Sequence, residues 1–143
     1  MSTEGNPSRT VVVGYDGSAH SGRALDRAAA IVGERGTVVV VTATPSIAPS
    51  LTAPDPILDA PSPRDQRELL EHSRMSLERH GVRGRYVAAG DDPADALAEA
   101  ARSAAADLIV VGRTGSGFVT RALLGSTSEN VIRRSPCDVL VVI

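Results

Sequence analysis

Three glycines and a serine stand between two apolar segments in the last third of the chain. Gly112, Gly115 and Gly125, the last followed directly by Ser126, separate a strand-like run from a helix-like one. Glycine lets a ligand approach the main chain closely, and the N-terminus of a following helix presents unpaired N–H groups and the positive end of its dipole. This spacing predicts a cradle for an anion such as a phosphate group.

Each of these residues also has an ordinary structural interpretation. Gly112 can end a strand, and Gly115 with Gly117 can form a turn. Ser126 with Glu129 matches a capping box, which any helix can use. The combination favours binding, because the loop starts at the carboxyl end of a strand and returns to a helix N-terminus, where open α/β sheets bind ligands.

The elements that must position this loop alternate along the chain. Short apolar runs predict five strands: Thr10 to Val13, Val38 to Thr42, Arg85 to Ala88, Leu108 to Val111 and Val139 to Ile143. Helical spacing predicts four helices: Ala19 to Glu34, Arg64 to His80, Pro93 to Ala105 and Ser126 to Arg133. Because parallel strands need crossover helices, this alternation predicts an α/β fold with a doubly wound parallel sheet.

Two segments are less regular. The second helix is charged almost throughout, and its expected contact stripe consists of Leu69, Leu70, Met75 and Leu77. The stretch from Pro45 to Pro63 holds six of the nine prolines and is expected to be an irregular, extended loop.

Composition limits the classes of function. The chain has 143 residues, 42% hydrophobic and 22% charged, which predicts one globular domain. A formal charge of -2 provides no field for nucleic acid or an anionic membrane, and the absence of lysine excludes the GxxxxGK[ST] phosphate loop. The single Cys137 precludes an internal disulfide and is expected to be a small buried hydrophobe.

The polar opening MSTEGNPSRT lacks the apolar core of a signal peptide, and no run reaches the length of a membrane span. We therefore expect a cytoplasmic protein. We also expect a disordered N-terminal tail at residues 1–8 and one domain at residues 9–143.

The glycine spacing Gly112-x2-Gly115-x9-Gly125-Ser126 resembles the nucleotide-binding signature of the universal stress protein family. The opening VVVGYDGS, the stretch GDDPADALAEAA from Gly90 and the ending LLGSTSENVIRRSPCDVLVV are also similar to that family, so that the resemblance covers residues 9–143. Two features depart from the pattern. GDDP is one residue longer than the usual G-x-P, and the proline-rich stretch matches no family motif.

The resemblance implies a single three-layer domain with strand order 3-2-1-4-5, of the adenine nucleotide alpha hydrolase-like kind. It implies a stress-response module that binds ATP, with Mg²⁺ or Mn²⁺ as a candidate metal, and Asp16 at the ribose or the metal. The other implied contacts are backbone of Ala43 at the adenine edge, Val111 against the base, Gly112 near the ribose, and Gly115, Gly125, Ser126 and Thr127 at the phosphates.

Several alternatives are open on the sequence. Asp16 can instead stabilise the turn into the first helix, with Ser18 as its N-cap. A slow metal-dependent ATPase, a cyclic AMP-binding protein and a ligand-free interaction protein are the alternative functions. A dinucleotide-binding Rossmann site is disfavoured, because the first strand is followed by GYDGS rather than G-x-G-x-x-G.

The apolar run Val139 to Ile143 contains no proline or lysine and is placed at a sheet edge by the implied strand order. Unpaired backbone groups on such an edge invite a partner strand. We therefore predict a homodimer that pairs through the last strand about a two-fold axis.

Overall fold

The structure is a computed structural model that describes residues 9–43, 63–90, 92–113 and 126–143. Its strands are β1 (Thr10–Gly14), β2 (Thr37–Ala43), β3 (Arg83–Ala89), β4 (Leu108–Gly112) and β5 (Asp138–Val142). Its helices are α1 (Ala19–Val32), α2 (Pro63–Arg79), α3 (Pro93–Ala104) and α4 (Ser126–Arg134). The predicted N-terminal tail, most of the proline-rich stretch, Gly115, Gly117 and Gly125 lie outside the described residues.

The five strands form one parallel sheet in the order β3-β2-β1-β4-β5, which confirms the order that the family resemblance implies. β1 is central and pairs Val12 with Val39 of β2 on one side and with Ile109 of β4 on the other. The chain passes from β1 outward to β2 and β3, and then crosses to β4 and β5. The sheet therefore has a switch point between β1 and β4.

The two faces of the sheet carry different helices because strand side chains alternate in direction. Val11 and Val13 point to the face covered by α1 and α2, where Leu25 of α1 and Leu77 of α2 are buried. Val12 points to the opposite face, which is covered by α3 and α4. Burial on both faces explains why the central strands read as continuous valine and isoleucine runs.

Local backbone preferences set the element ends, which differ slightly from the predicted ones. α1 ends at Val32 instead of Glu34, because Gly33 adopts a φ of 62° and starts a short 3-10 turn. α3 ends at Ala104, and Ala105 caps it in the left-handed conformation. β3 begins at Arg83, two residues earlier than predicted, because it pairs with β2 along its whole length.

The contact stripe predicted for α2 is wrong at Met75, whose exposed fraction is 54%. Leu77 is buried as predicted, and Leu69 and Leu70 are half-buried. Gln66 and Ser73, which were not in the predicted stripe, are also buried. Positions 66, 69, 70, 73 and 77 follow the helical period more closely than the apolar residues do. Two polar residues therefore belong to the face that packs on the sheet.

The edge position predicted for the last strand is confirmed, because β5 pairs with β4 and ends the strand order. Cys137, just before β5, is half-buried against the α3 and α4 side of the core. Among the described residues, no helix is long and apolar enough to cross a membrane.

Candidate functional site

The candidate site lies at the carboxyl edge of the sheet, where β1 and β4 are neighbours. β1 is followed by α1 on one face of the sheet, and β4 is followed by α4 on the other face. Connections that leave two adjacent strands toward opposite sides open a crevice between them, and ligands of doubly wound sheets bind there. Asp16 follows β1 and Gly112 ends β4, so both predicted residues stand at this crevice.

Asp16 stabilises the turn that leads into α1. Its Oδ1 accepts a hydrogen bond from the Ser18 N–H at 2.9 Å, and its own N–H donates to Ser21 Oγ at 3.2 Å. Ser18 is the N-cap of α1, since its hydroxyl accepts from the Ser21 N–H at 3.1 Å. The turn interpretation of Asp16 is therefore confirmed, and contact with a ligand is an additional role that stays a prediction.

Gly112 is required by packing. A Cβ placed on it would lie 2.7, 2.8 and 2.9 Å from the carbonyl carbon, Cβ and oxygen of His20 in the first turn of α1. Two of these three are backbone atoms, which cannot rotate away as a flexible side chain would. Glycine thus allows β4 and α1 to approach closely at the crevice, in the manner of the glycine that permits helix–strand contact in dinucleotide-binding folds.

Ser128 links α4 to the end of β4 by a hydrogen bond. Its hydroxyl donates to the Gly112 carbonyl oxygen at 3.1 Å, and its exposed fraction is 2%. The contact holds the first turn of α4, which begins with Ser126 and Thr127, beside the carboxyl end of β4. Sequence reasoning missed Ser128, although its position three residues before the buried Val131 places both on one face of α4.

Gln66 was also missed, and it links α2 to the ends of β2 and β3. Its side-chain amide donates to the Thr42 carbonyl oxygen at 3.2 Å and to the Ala89 carbonyl oxygen at 3.1 Å. Ala43, predicted to present its backbone to a base, is the last residue of β2 and directly follows Thr42. The Thr42 hydroxyl is buried and, within the part of the chain that the structure describes, has no hydrogen-bond partner.

Val111, predicted to contact a base, is buried on the α3 and α4 side of the sheet with an exposed fraction of 4%. The structure therefore assigns its side chain to the core beside the crevice. Gly115 and Gly125 lie outside the described residues, and the structure gives the backbone of Ser126 and Thr127 at the start of α4.

Tyr15, which directly follows β1, lies near two carboxylates. Burial raises the pKa of Tyr15 above its ordinary value of 10.0, and the carboxylates of Asp16 and Asp26 raise it further. The described residues contain no group of three or more histidine, cysteine, aspartate or glutamate side chains that could hold a metal ion by themselves.

The sheet order and helix placement define the adenine nucleotide alpha hydrolase-like fold. The family described as "Universal stress protein family" matches residues 7–142, so the chain belongs to that family. Universal stress protein Rv1636 of Mycobacterium tuberculosis is 35% identical over an alignment length of 141, and the match covers 94% of this chain and 95% of that protein.

Two solved structures extend the comparison. A universal stress protein in complex with cAMP is 33% identical, with a TM-score of 0.71 and coverage of 96% of this chain and 98% of that one. The universal stress protein UspA from Lactobacillus plantarum has a TM-score of 0.79 at 20% identity, covers 96% of this chain and 99% of that one, and supports the fold alone.

Proposed function

We propose that this universal stress protein is a nucleotide-binding module that holds ATP at the carboxyl edge of the sheet, over β1 and β4. Occupancy of the site would alter its assembly or its contacts with a protein partner. The observation that carries the proposal is the Ser128–Gly112 hydrogen bond, because it sets the N-terminal turn of α4 beside the crevice. Phosphate groups bind well where helix N–H groups and the helix dipole point at them.

The proposed contacts divide the nucleotide into three parts. Ala43 meets the adenine edge through its backbone, and Val111 lies beneath the base as part of the core. Asp16 and Gly112 flank the ribose. The phosphates are bound by N–H groups of the glycine loop and the helix start: Gly115, Gly125, Ser126 and Thr127.

A divalent cation, Mg²⁺ or Mn²⁺, fits this arrangement if Asp16 and phosphate oxygens share it. Carboxylate and phosphate oxygens are the ligands that Mg²⁺ prefers, and it usually keeps several waters. Without a cation, the negative charge of Asp16, which also raises the pKa of Tyr15, would repel a nearby triphosphate.

Cyclic AMP is the second candidate ligand, because a relative 33% identical to this chain was solved in complex with it. The two nucleotides share the base and ribose and differ in the number and placement of phosphates. A preference for ATP would therefore come from the glycine loop and the start of α4.

We place binding ahead of catalysis, with slow metal-dependent ATP hydrolysis at Asp16 as the alternative. General-base catalysis needs a basic group within hydrogen-bond reach of the attacking water. The His80 ring pairs with Asp26 at 3.2 Å, and the His20 ring contacts the Arg23 guanidinium at 2.9 Å. Both rings are thus engaged on the helix surface.

Titration calorimetry with ATP and with cyclic AMP, each with and without MgCl₂, tests the proposal. We expect ATP binding that is lost in the double variant Gly115→Val/Gly125→Val, since branched side chains would occupy the space of the phosphates. Gly22→Val is the matched control, because a Cβ there meets nothing within 4 Å. Unchanged ATP affinity in a folded double variant would refute the phosphate site, and single-turnover hydrolysis with metal would establish the ATPase alternative.

A further inference from the structure

We infer that Gln66 is a positioning residue for base recognition: by holding the Thr42 carbonyl, it orients the Ala43 N–H and thereby sets the preference for adenine. This inference rests on the proposed function, in which the Ala43 backbone meets the base. Gln66 is 6% exposed and donates to two carbonyl oxygens, on Thr42 and on Ala89.

The geometry of β2 determines which groups point toward the crevice. The Val41 carbonyl oxygen accepts from the Tyr15 N–H at 3.0 Å, so the polar groups of Val41 face β1. Successive residues of a strand direct their backbone groups to opposite neighbours. Those of Thr42 therefore face β3, where Gln66 reaches them, and those of Ala43 face β1 and the crevice.

The planar peptide bond connects these two directions. The Thr42 carbonyl and the Ala43 N–H belong to one peptide group and point in opposite directions within one plane. Fixing the carbonyl on the β3 side thus fixes the N–H on the β1 side. β2 ends at Ala43, where its pairing with Ala89 is the last of the ladder, and the contact from α2 adds a second restraint on this peptide.

The same contact couples two strand ends. Ala43 is paired with Ala89, and the Gln66 amide bonds to the carbonyl next to Ala43 and to that of Ala89 itself. One side-chain amide thus donates to carbonyls at the ends of two neighbouring strands from the buried face of α2. A shift of β2 relative to β3 would break at least one of them.

The chemical consequence is selectivity between bases. A backbone N–H and C=O of one residue can donate to adenine N1 and accept from its 6-amino group. Guanine presents a donor at N1 and an acceptor at O6, the reverse pattern. When the backbone N–H and C=O of Ala43 are held in place, the site favours adenine. When they are not held, the affinity for adenine falls, whereas the weak affinity for guanine changes little.

The test compares ATP and GTP affinities of the full chain by calorimetry. Gln66→Met keeps the volume and removes both donors, and we expect it to weaken ATP binding about tenfold, the equivalent of one hydrogen bond, with little change for GTP. Ser73→Ala is the matched control, because Ser73 is also buried on α2 but donates to Leu70 of its own helix. A purely structural role for Gln66 would lower Tm and leave the ATP/GTP ratio unchanged.

A second variant keeps the inference testable if Gln66→Met does not fold. In Gln66→Glu the side chain has one donor when its carboxyl is protonated and none when it is ionised. Burial favours the protonated, neutral form. The ATP/GTP affinity ratio should then be higher at pH 5 than at pH 7, while the wild-type ratio stays constant because both triphosphates ionise alike.

The outcomes separate the two proposals. A wild-type protein that binds ATP, with an ATP/GTP ratio unaffected by either Gln66 variant, would overturn the inference and leave the nucleotide site standing. A wild-type protein that binds no ATP would refute the nucleotide site and this inference with it.

Discussion

Replacing Gly112 with alanine should disturb the contact between β4 and α1 that shapes the crevice. The added methyl group would lie 2.7 to 2.9 Å from three atoms of His20, and two of them belong to the backbone of α1. Carbon atoms in good contact are about 3.5–4.0 Å apart, so the strand end or the first turn of α1 must move. Forced overpacking of this kind costs about 1–3 kcal/mol.

Gly22→Ala, on the helix that Gly112 contacts, provides a control for which a change of opposite sign is expected. A Cβ at Gly22 meets no atom within 4 Å, and alanine in a helix is about 0.5–1 kcal/mol more favourable than glycine. Urea unfolding of both variants should therefore give a loss of about 2 kcal/mol for Gly112→Ala and a small gain for Gly22→Ala. Equal free energies of unfolding for Gly112→Ala and wild type would refute the close approach of β4 and α1.

Three further predictions concern single residues of the crevice and the sheet edge. Asp16→Asn keeps an oxygen that can accept from the Ser18 N–H, so we expect little change in Tm but weaker magnesium-dependent ATP binding. The pKa of Tyr15, measured by absorbance titration in a Tyr86→Phe background, should fall because a nearby negative charge is removed. Lost stability with unchanged ATP affinity would limit the role of Asp16 to the turn. Thr42→Val removes a buried hydroxyl without a partner among the described residues and should raise the free energy of unfolding by about 1 kcal/mol, measured in urea; a loss of stability would show that the hydroxyl is bonded. Val141→Pro should convert the dimer to a monomer, measured by light scattering, whereas Val141→Ala should not. The Val142 carbonyl faces β4, so the N–H of Val141 faces the open edge of the sheet, and proline removes that donor. A wild-type protein that is monomeric at micromolar concentration would refute the dimer.

The fold could be predicted because the sequence encodes it locally. The apolar runs of β1 and β4 lie at the centre of the sheet and are buried on both faces, so each reads as continuous. Five apolar residues of α1 that recur at helical spacing are buried: Ala24, Leu25, Ala28, Ala29 and Val32. The order of the strands came from the family resemblance, since alternation alone fixes that the sheet is parallel but not which strands are neighbours.

The parts of the site that sequence reasoning missed depend on contacts between distant segments. Gln66 stands in a charged helix and looks like a solvated residue, but its partners are strand ends 23 and 24 residues away. Gly112 is part of the glycine signature, but the close contact that requires a glycine at this position is with His20 in α1, which the sequence does not reveal. Met75 was expected inside because it is apolar, and the helical register of α2 places it outside.

Amide chemical shifts recorded by ¹H–¹⁵N NMR during titration with magnesium ATP test the nucleotide site most directly. We predict saturable shifts at the carboxyl edge of the sheet, at Asp16, Ala43, Gly112 and Ser126, with the resonances of the open groove between α1 and α2, such as those of Gly22 and Ser76, unchanged. Shifts confined to that groove, or none at saturating nucleotide, would contradict a nucleotide site over β1 and β4.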